Sequence, residues 1–333
     1  MILADSFTDI GDIALFVLAA LALIPLAWLI GETTEHAAHH TGPGIGGFLN
    51  ATFGNAPELI IALFALNSGL TEVVRGSLTG SVVGNLLLVL GFSLVFGGEG
   101  RLDRESSLTS FALVGFAVAL FLIPSIPGWE GDPDRHSLAV LSVPVSIALL
   151  IVYVVVTWYS LRRHQLMHVS DETAAEAAWS LPLSLVVLGA ATVVTAFVAE
   201  TLVHTLEAFA DEFGLTDFFV AAVIVAIVGN AAEHGGAVVV AHRGNIKLAA
   251  EIALASSAQV AVFLIPAGAL ISWLIEPLAL SFREIEIAAM AGSVLFTAVL
   301  LFNGRSTRWR GAVLIAAYVA VAFSFYAAGD RAA

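Results

Sequence analysis

The chain contains no cysteine. Disulfides, Fe–S clusters and thiolate chemistry are excluded, while the redox compartment is left open. Charge is scarce too: 12% of the 333 residues are Asp, Glu, Lys or Arg, against 59% hydrophobic. Soluble domains carry about twice that share of charge. The chain therefore has too little polar surface for water and reads as a polytopic membrane protein. Lysine is nearly missing beside arginine, and the formal charge of −14 argues against a nucleic-acid partner. The N-terminus, "MILADSFTDIGD", lacks the positive segment of a signal peptide, and the apolar run behind it is too long for one. It reads as a retained helix. No H-E-x-x-H motif or thiolate ligand is present for zinc-type chemistry.

What the chain does have is long apolar runs. About 20 residues are needed to cross roughly 30 Å of hydrocarbon. About ten such runs occur, near 11–31, 44–72, 74–98, 107–126, 137–161, 179–208, 216–242, 246–274, 284–303 and 309–328. The second and seventh are unusually long, and a Gly-Asn pair interrupts each. The longest polar link, "RRHQLMHVSDETAAEA" from Arg162, falls near the middle and divides the chain into halves of five helices, 1–168 and 169–333. Loops on the N-terminal side carry Arg75, Arg135, Arg283 and Arg331. The opposite loops carry Arg101, Arg104, Arg162, Arg163, Arg243, Lys247, Arg305, Arg308 and Arg310. That bias places both termini outside. Five is odd, so the second half enters the membrane in the opposite sense. The predicted fold is an all-α polytopic membrane protein with two inverted five-helix repeats, a hallmark of secondary transporters.

The two interruptions read "GNAPE" from Gly54 and "GNAAE" from Gly229. Each puts a glutamate, Glu58 or Glu233, near the middle of its helix. Ionisable groups at that depth are costly and usually face an internal cavity or a partner. Gly54 and Pro57 loosen the second helix, freeing carbonyls that are tolerated at membrane depth only around a cavity. Helix seven has Gly229 but Ala232 in place of proline, which predicts a milder break. Asn55 and Asn230 add amide oxygens. Two carboxylates, two amides and several carbonyls make a hard oxygen cage, suited to calcium with its 6–8 ligands. A second layer follows in "RGSLTGSVVGN", where Gly76, Gly80 and Gly84 form one stripe and Ser77, Ser81 and Asn85 the next. In the other half "ASSAQ" offers Ser256, Ser257 and Gln259. The glycines permit close helix approach, and the polar residues either complete the cage or bond between helices.

With these residues in view, the sequence resembles the calcium/proton exchanger family of the calcium/cation antiporter superfamily. GNAPEL and GNAAEH are similar to that family's two signature repeats. The likeness extends through "IPLAWLIGETTEHAAHHTGPGIGGFLNATFGNAPELI", "GSVVGNLLLVLG", "VAIVGNAAEHGGAVVV" and "SSAQVAVFLIP". The resemblance implies that Glu58 and Glu233 are the cation- and proton-binding carboxylates and that helices one and six are sliding gates. Sodium/calcium exchangers of the superfamily usually have Ser or Thr where Asn55 and Asn230 stand, so Asn favours proton coupling. Family members often carry an extra N-terminal helix, for which this chain shows no counterpart.

Weaker signals surround this core. Glu32 and Glu35 close helix one, and Glu200 and Glu207 lie near the outer end of helix six. They either pass cations to the centre or are simply solvated. His36, His39 and His40 read as a solvated helix end or a metal- or pH-sensing cluster. His234, beside Glu233, is a packed partner or a proton relay. The function expected is exchange of Ca²⁺ for H⁺ by alternating access, exporting Ca²⁺ from the cytoplasm across a prokaryotic plasma membrane. Ca²⁺ is then cargo rather than cofactor, and the partners are Ca²⁺, H⁺ and the lipid bilayer, with a homo-oligomer left open. The alternatives are a sodium/calcium exchanger, an intramembrane metal-dependent hydrolase and a cation channel. Duplicated ligands argue against the hydrolase, which needs an asymmetric ligand set and a water-activating base.

Overall fold

Backbone groups in hydrocarbon must find their partners within the chain, and helices satisfy that locally. The computed structural model describes residues 11–167 and 179–331, and most of these are helical. The acidic N-terminal segment and most of the central link lie outside the described residues. Among the described residues seven helical runs are long and apolar enough to cross a bilayer: Asp12–Thr41, Thr71–Gly97, Arg104–Gly128, His136–Tyr159, Leu181–Phe213, Ile246–Leu274 and Arg308–Ala328. Asp217–Gly229 with Glu233–His242 forms an eighth, bent by 56°. The other two expected runs appear as shorter helices, α2 (Ala56–Asn67) and α13 (Glu284–Leu300).

One boundary differs from expectation. Separate helices were predicted at 11–31 and 44–72, yet helical bonding is continuous in α1 (Asp12–Phe53), and the chain breaks only at Gly54–Asn55. The polar stretch after Gly31 is rich in Glu, Ala and Thr. Its threonines satisfy themselves on the preceding turn, Thr33 Oγ1 donating to Leu29 O and Thr34 Oγ1 to Ile30 O. Polarity there does not end the helix.

A stretch of elements recurs along the chain. α2 and α10 (Ala231–His242) have 12 residues each, and α3 (Thr71–Gly84) and α11 (Ile246–Gln259) have 14 each. A five-residue π turn follows each of the latter, Asn85–Val89 and Val260–Leu264. Every one of these boundaries is displaced by the 175 residues that separate Asn55 from Asn230. The runs through α3 and α11 form the centre, with 83% and 67% of their apolar windows buried. Those at Asp12, His136, Leu181 and Arg308 are 22–33% buried and face outward. α3 comes very close to the first half of the broken helix: a Cβ on Gly80 would stand 2.0 Å from Ala222 O. Gly84 meets nothing, so the expected three-glycine stripe works at two positions.

Loops sort into two groups. On one side Phe16 stacks on Phe209 at 4.2 Å, Phe218 N donates to Asp330, and Arg331 reaches Ser281 O and Gly128 O. This brings the start of α1, the end of α7 (Leu181–Phe213) and the C-terminal segment together. On the other side Gly100–Arg101 pairs with Arg305–Ser306, Lys247 pairs with Asp103 at 3.1 Å, and His40 Nε2 meets Trp179 O at 2.7 Å. This sidedness matches the loop assignment read from the sequence.

The first group also holds a buried ion cluster. Arg75, fully buried, bonds Asp134 and Glu72 at 2.6 Å each. Arg283 sits between Glu72 and Glu286, 3.8 Å from each, and stacks 3.7 Å over Phe218. Arg331 lies 3.7 Å from Glu72. Burial alone would raise Asp134, but the hydrogen bond and charge of Arg75 outweigh it and hold this loop carboxylate below its usual range.

Candidate cation site

Both glutamates enter the site in the same way. Asn55 and Asn230 are the residues between helices, with φ/ψ of −100°/14° and −89°/5°. Each begins a new helix whose third residue is the glutamate, and each keeps the first bond, Leu59 N to Asn55 O and His234 N to Asn230 O. The milder break expected in the second half is not seen, since the two asparagines have nearly the same backbone. Pro57 is not the cause, because it lies in the first turn of α2, where its missing N–H costs nothing. The Gly-Asn pair makes the break. At each break one helix ends in free carbonyls and the next begins with free amides. The first suit a cation and the second suit a carboxylate.

Buried polar side chains meet around these breaks. Glu58, Asn55, Asn85, Asn230, Ser81 and Ser256 are all buried, while Glu233 and Gln259 are half-buried. Asn85 Nδ2 donates to Ser256 Oγ at 3.0 Å and to Asn230 Oδ1 at 3.3 Å. Asn230 Nδ2 donates to Ser81 Oγ at 2.7 Å and to Ala226 O at 2.8 Å. Ser256 donates to Glu233, and Asn55 Nδ2 reaches Gln259 Oε1 at 3.5 Å. Gly229 packs directly on the Glu58 side chain, and Gly54 is the turn residue before Asn55. Hydrogen bonds thus join polar side chains on either side of the chain's midpoint.

Other expected members lie elsewhere. Ser77 bonds back to Val74 O, and Ser257 donates to Val82 O, so both serve helix packing. The 175-residue shift equates Asn85 with Val260 and Gln259 with Gly84. Asn85 and Gln259 are therefore not counterparts, as their unequal spacing from Glu58 and Glu233 already signalled. Glu35 and Glu207 are exposed. Glu32 pairs with His36 at 3.4 Å and Glu200 with His204 at 4.0 Å, one helical turn apart in each case. His36 also stacks on Trp179 at 5.1 Å. No bond joins these carboxylates to the central group among the described residues. Sequence reading missed Thr79, whose hydroxyl donates to buried Glu286 at 3.0 Å; a glutamate early in the apolar 284–303 run was the available signal.

Among the described residues no three His, Asp or Glu converge as a metal cluster. The donors are instead two carboxylates with amide, hydroxyl and carbonyl oxygens. This set suits a hard cation that must also leave. Buried oxygen donors at duplicated helix breaks in a membrane-spanning bundle define a cation carrier of the secondary-transporter class. The chain belongs to the sodium/calcium exchanger protein family, which it matches over residues 12–162 and 183–327, and its relatives fall in the calcium/proton exchanger branch. It is 39% identical over 323 residues to the Ca(2+)/H(+) antiporter ChaA of Bacillus subtilis, covering 94% of this chain and 92% of that protein. It is 35% identical over 337 residues to the Ca(2+)/H(+) antiporter of Aphanothece halophytica, covering 95% and 90%. The solved structure of native YfkE superimposes with a TM-score of 0.83 at 36% identity, covering 98% of this chain and 96% of that one.

Proposed function

We propose that this protein exchanges Ca²⁺ for H⁺ by alternating access and exports Ca²⁺ from the cytoplasm. The observation that carries the reading is the placement of Glu58 and Glu233, each third in a helix that starts at a Gly-Asn break, one in each half. A divalent ion matches two carboxylates. Protonating both neutralises the empty site for its return, so the ion and the protons compete for the same oxygens. The names of the relatives support the pairing of Ca²⁺ with H⁺. Asn55 and Asn230, in place of hydroxyl residues, support proton over sodium coupling.

In this reading ten helices form two inverted halves, α1 and α7 are the sliding gates, and both termini face outward. The support for that orientation is the loop count, four arginines on the terminal side against nine basic residues on the other. Arg75, Arg283 and Arg331 are bound to carboxylates on the terminal side, which leaves Arg135 there. The opposite loops keep Arg101, Arg243, Arg305 and Arg308 exposed.

Purified protein in liposomes, given a Ca²⁺ gradient and a pH dye, tests the reading. Ca²⁺ should drive proton movement without sodium, and its apparent affinity should weaken as pH falls. Proton movement that needs sodium would identify a sodium/calcium exchanger instead. Ca²⁺ leakage indifferent to the proton gradient would identify a channel.

A further inference from the structure

The shift relating the two halves equates Ser81 with Ser256, Glu58 with Glu233 and Asn55 with Asn230. The hydrogen bonds break that equivalence. Ser256 donates to Glu233. Ser81 instead accepts from Asn230 Nδ2, and Glu58 Oε2, buried, accepts no hydrogen bond among the described residues. A hydroxyl has one proton to give, so each serine can hold one carboxylate oxygen.

We propose that Ser81 and Ser256 are alternating positioning donors for the two carboxylates. In the state described here Ser256 accepts from Asn85 and still gives its proton to Glu233, whereas Ser81, tethered by Asn230, gives no bond to Glu58 Oε2, which is left to meet the ion. In the state open to the other face the halves exchange roles: Ser81 donates to Glu58, Asn55 donates to Ser256, and Glu233 is free. This rests on the exchanger reading and adds which carboxylate meets the ion first on each side. The exchange is unequal. Asn85 also donates to Ser256 at 3.0 Å, whereas its counterpart Val260 has no side-chain donor. Ser256 is therefore the more firmly held of the pair.

The test uses uniformly oriented proteoliposomes, with Ca²⁺-driven proton flux measured from either face. Ser256→Ala should raise the apparent KM for Ca²⁺ about tenfold at one face, and Ser81→Ala should raise it by less at the opposite face, with kcat less affected. Ser→Thr at either position keeps the hydroxyl and should restore the wild-type KM. A merely structural role would move KM at both faces together. Effects on the same face, effects on neither, or failure of Thr to restore KM would overturn the inference while leaving wild-type exchange intact. No exchange by the wild-type protein would overturn the reading beneath it.

Discussion

Gly229 lies against Glu58 of the other half: a Cβ built on the glycine would stand 3.3 Å from Glu58 Cγ and 3.8 Å from its carboxyl carbon. The residue that opens one helix break thus also seats the carboxylate of the other. Gly229→Ala should give a folded protein, because the contact is tight rather than prohibitive. Glu58 would have to shift by a few tenths of an ångström. The expected result is an apparent Ca²⁺ KM raised roughly tenfold, since small displacements at a reacting centre are costly. An unchanged KM in proteoliposomes would mean that Glu58 does not need this seat.

The two carboxylates should be separately indispensable. Glu58→Gln or Glu233→Gln removes one of the two charges that a divalent ion requires. Each should reduce Ca²⁺-dependent proton flux by about 100-fold or more, an estimate from the cost of leaving a buried charge uncompensated. Size-exclusion profiles should stay those of the folded protein. Retention of most of the flux by either variant would refute the two-carboxylate site.

Orientation is tested by accessibility. A tag at either terminus should be reachable in intact cells, and a probe in the 162–178 link only after permeabilisation. Labelling of the link from outside would reverse the direction of transport assigned here.

The Arg75–Asp134 pair makes a prediction about acid stability. Because Asp134 is held below its usual range, its contribution is present above the unfolded value, about pH 3.9. It is lost as pH falls through the lower folded value. Asp134→Asn should therefore destabilise the protein at pH 7 by roughly 2 kcal/mol, through loss of a charged hydrogen bond to a buried guanidinium. The difference from wild type should shrink in strong acid. Thermal unfolding in detergent across pH measures both, and an equal difference at every pH would rule out this pair as its origin.

Much of this was legible in the residues. The Gly-Asn breaks, the glutamates behind them and the sidedness of the loops follow from polar groups placed in apolar runs. Other features depend on what a side chain meets in three dimensions. Arg75 reads as a loop charge, yet it is buried because Asp134 comes to it from a separate loop while Glu72 lies one turn back on its own helix. Ser77 and Ser257 share stripes with site residues but spend their hydroxyls on backbone carbonyls. The unbroken α1 is hidden by its polarity, since Glu and Ala continue a helix well and its threonines bond back to the preceding turn.

The matched π turns at Asn85–Val89 and Val260–Leu264 have a mechanical meaning. A π turn accommodates one residue more than the α-helix around it, so it sets the phase between the helix segments on either side. Upstream, α3 keeps Ser81 on the site. Downstream, α4 (Leu90–Gly97) keeps Gly91 under α14 (Arg308–Ala328), where a Cβ on Gly311 would stand 2.5 Å from Gly91 O. Relaxing Asn85–Val89 into an ordinary α-helix with every residue kept would turn one segment against the other by about 100°. Either the site or the seam with α14 would then lose its facing residues. One surplus residue in each half is what allows a single rod to be keyed to both the ion and the scaffold.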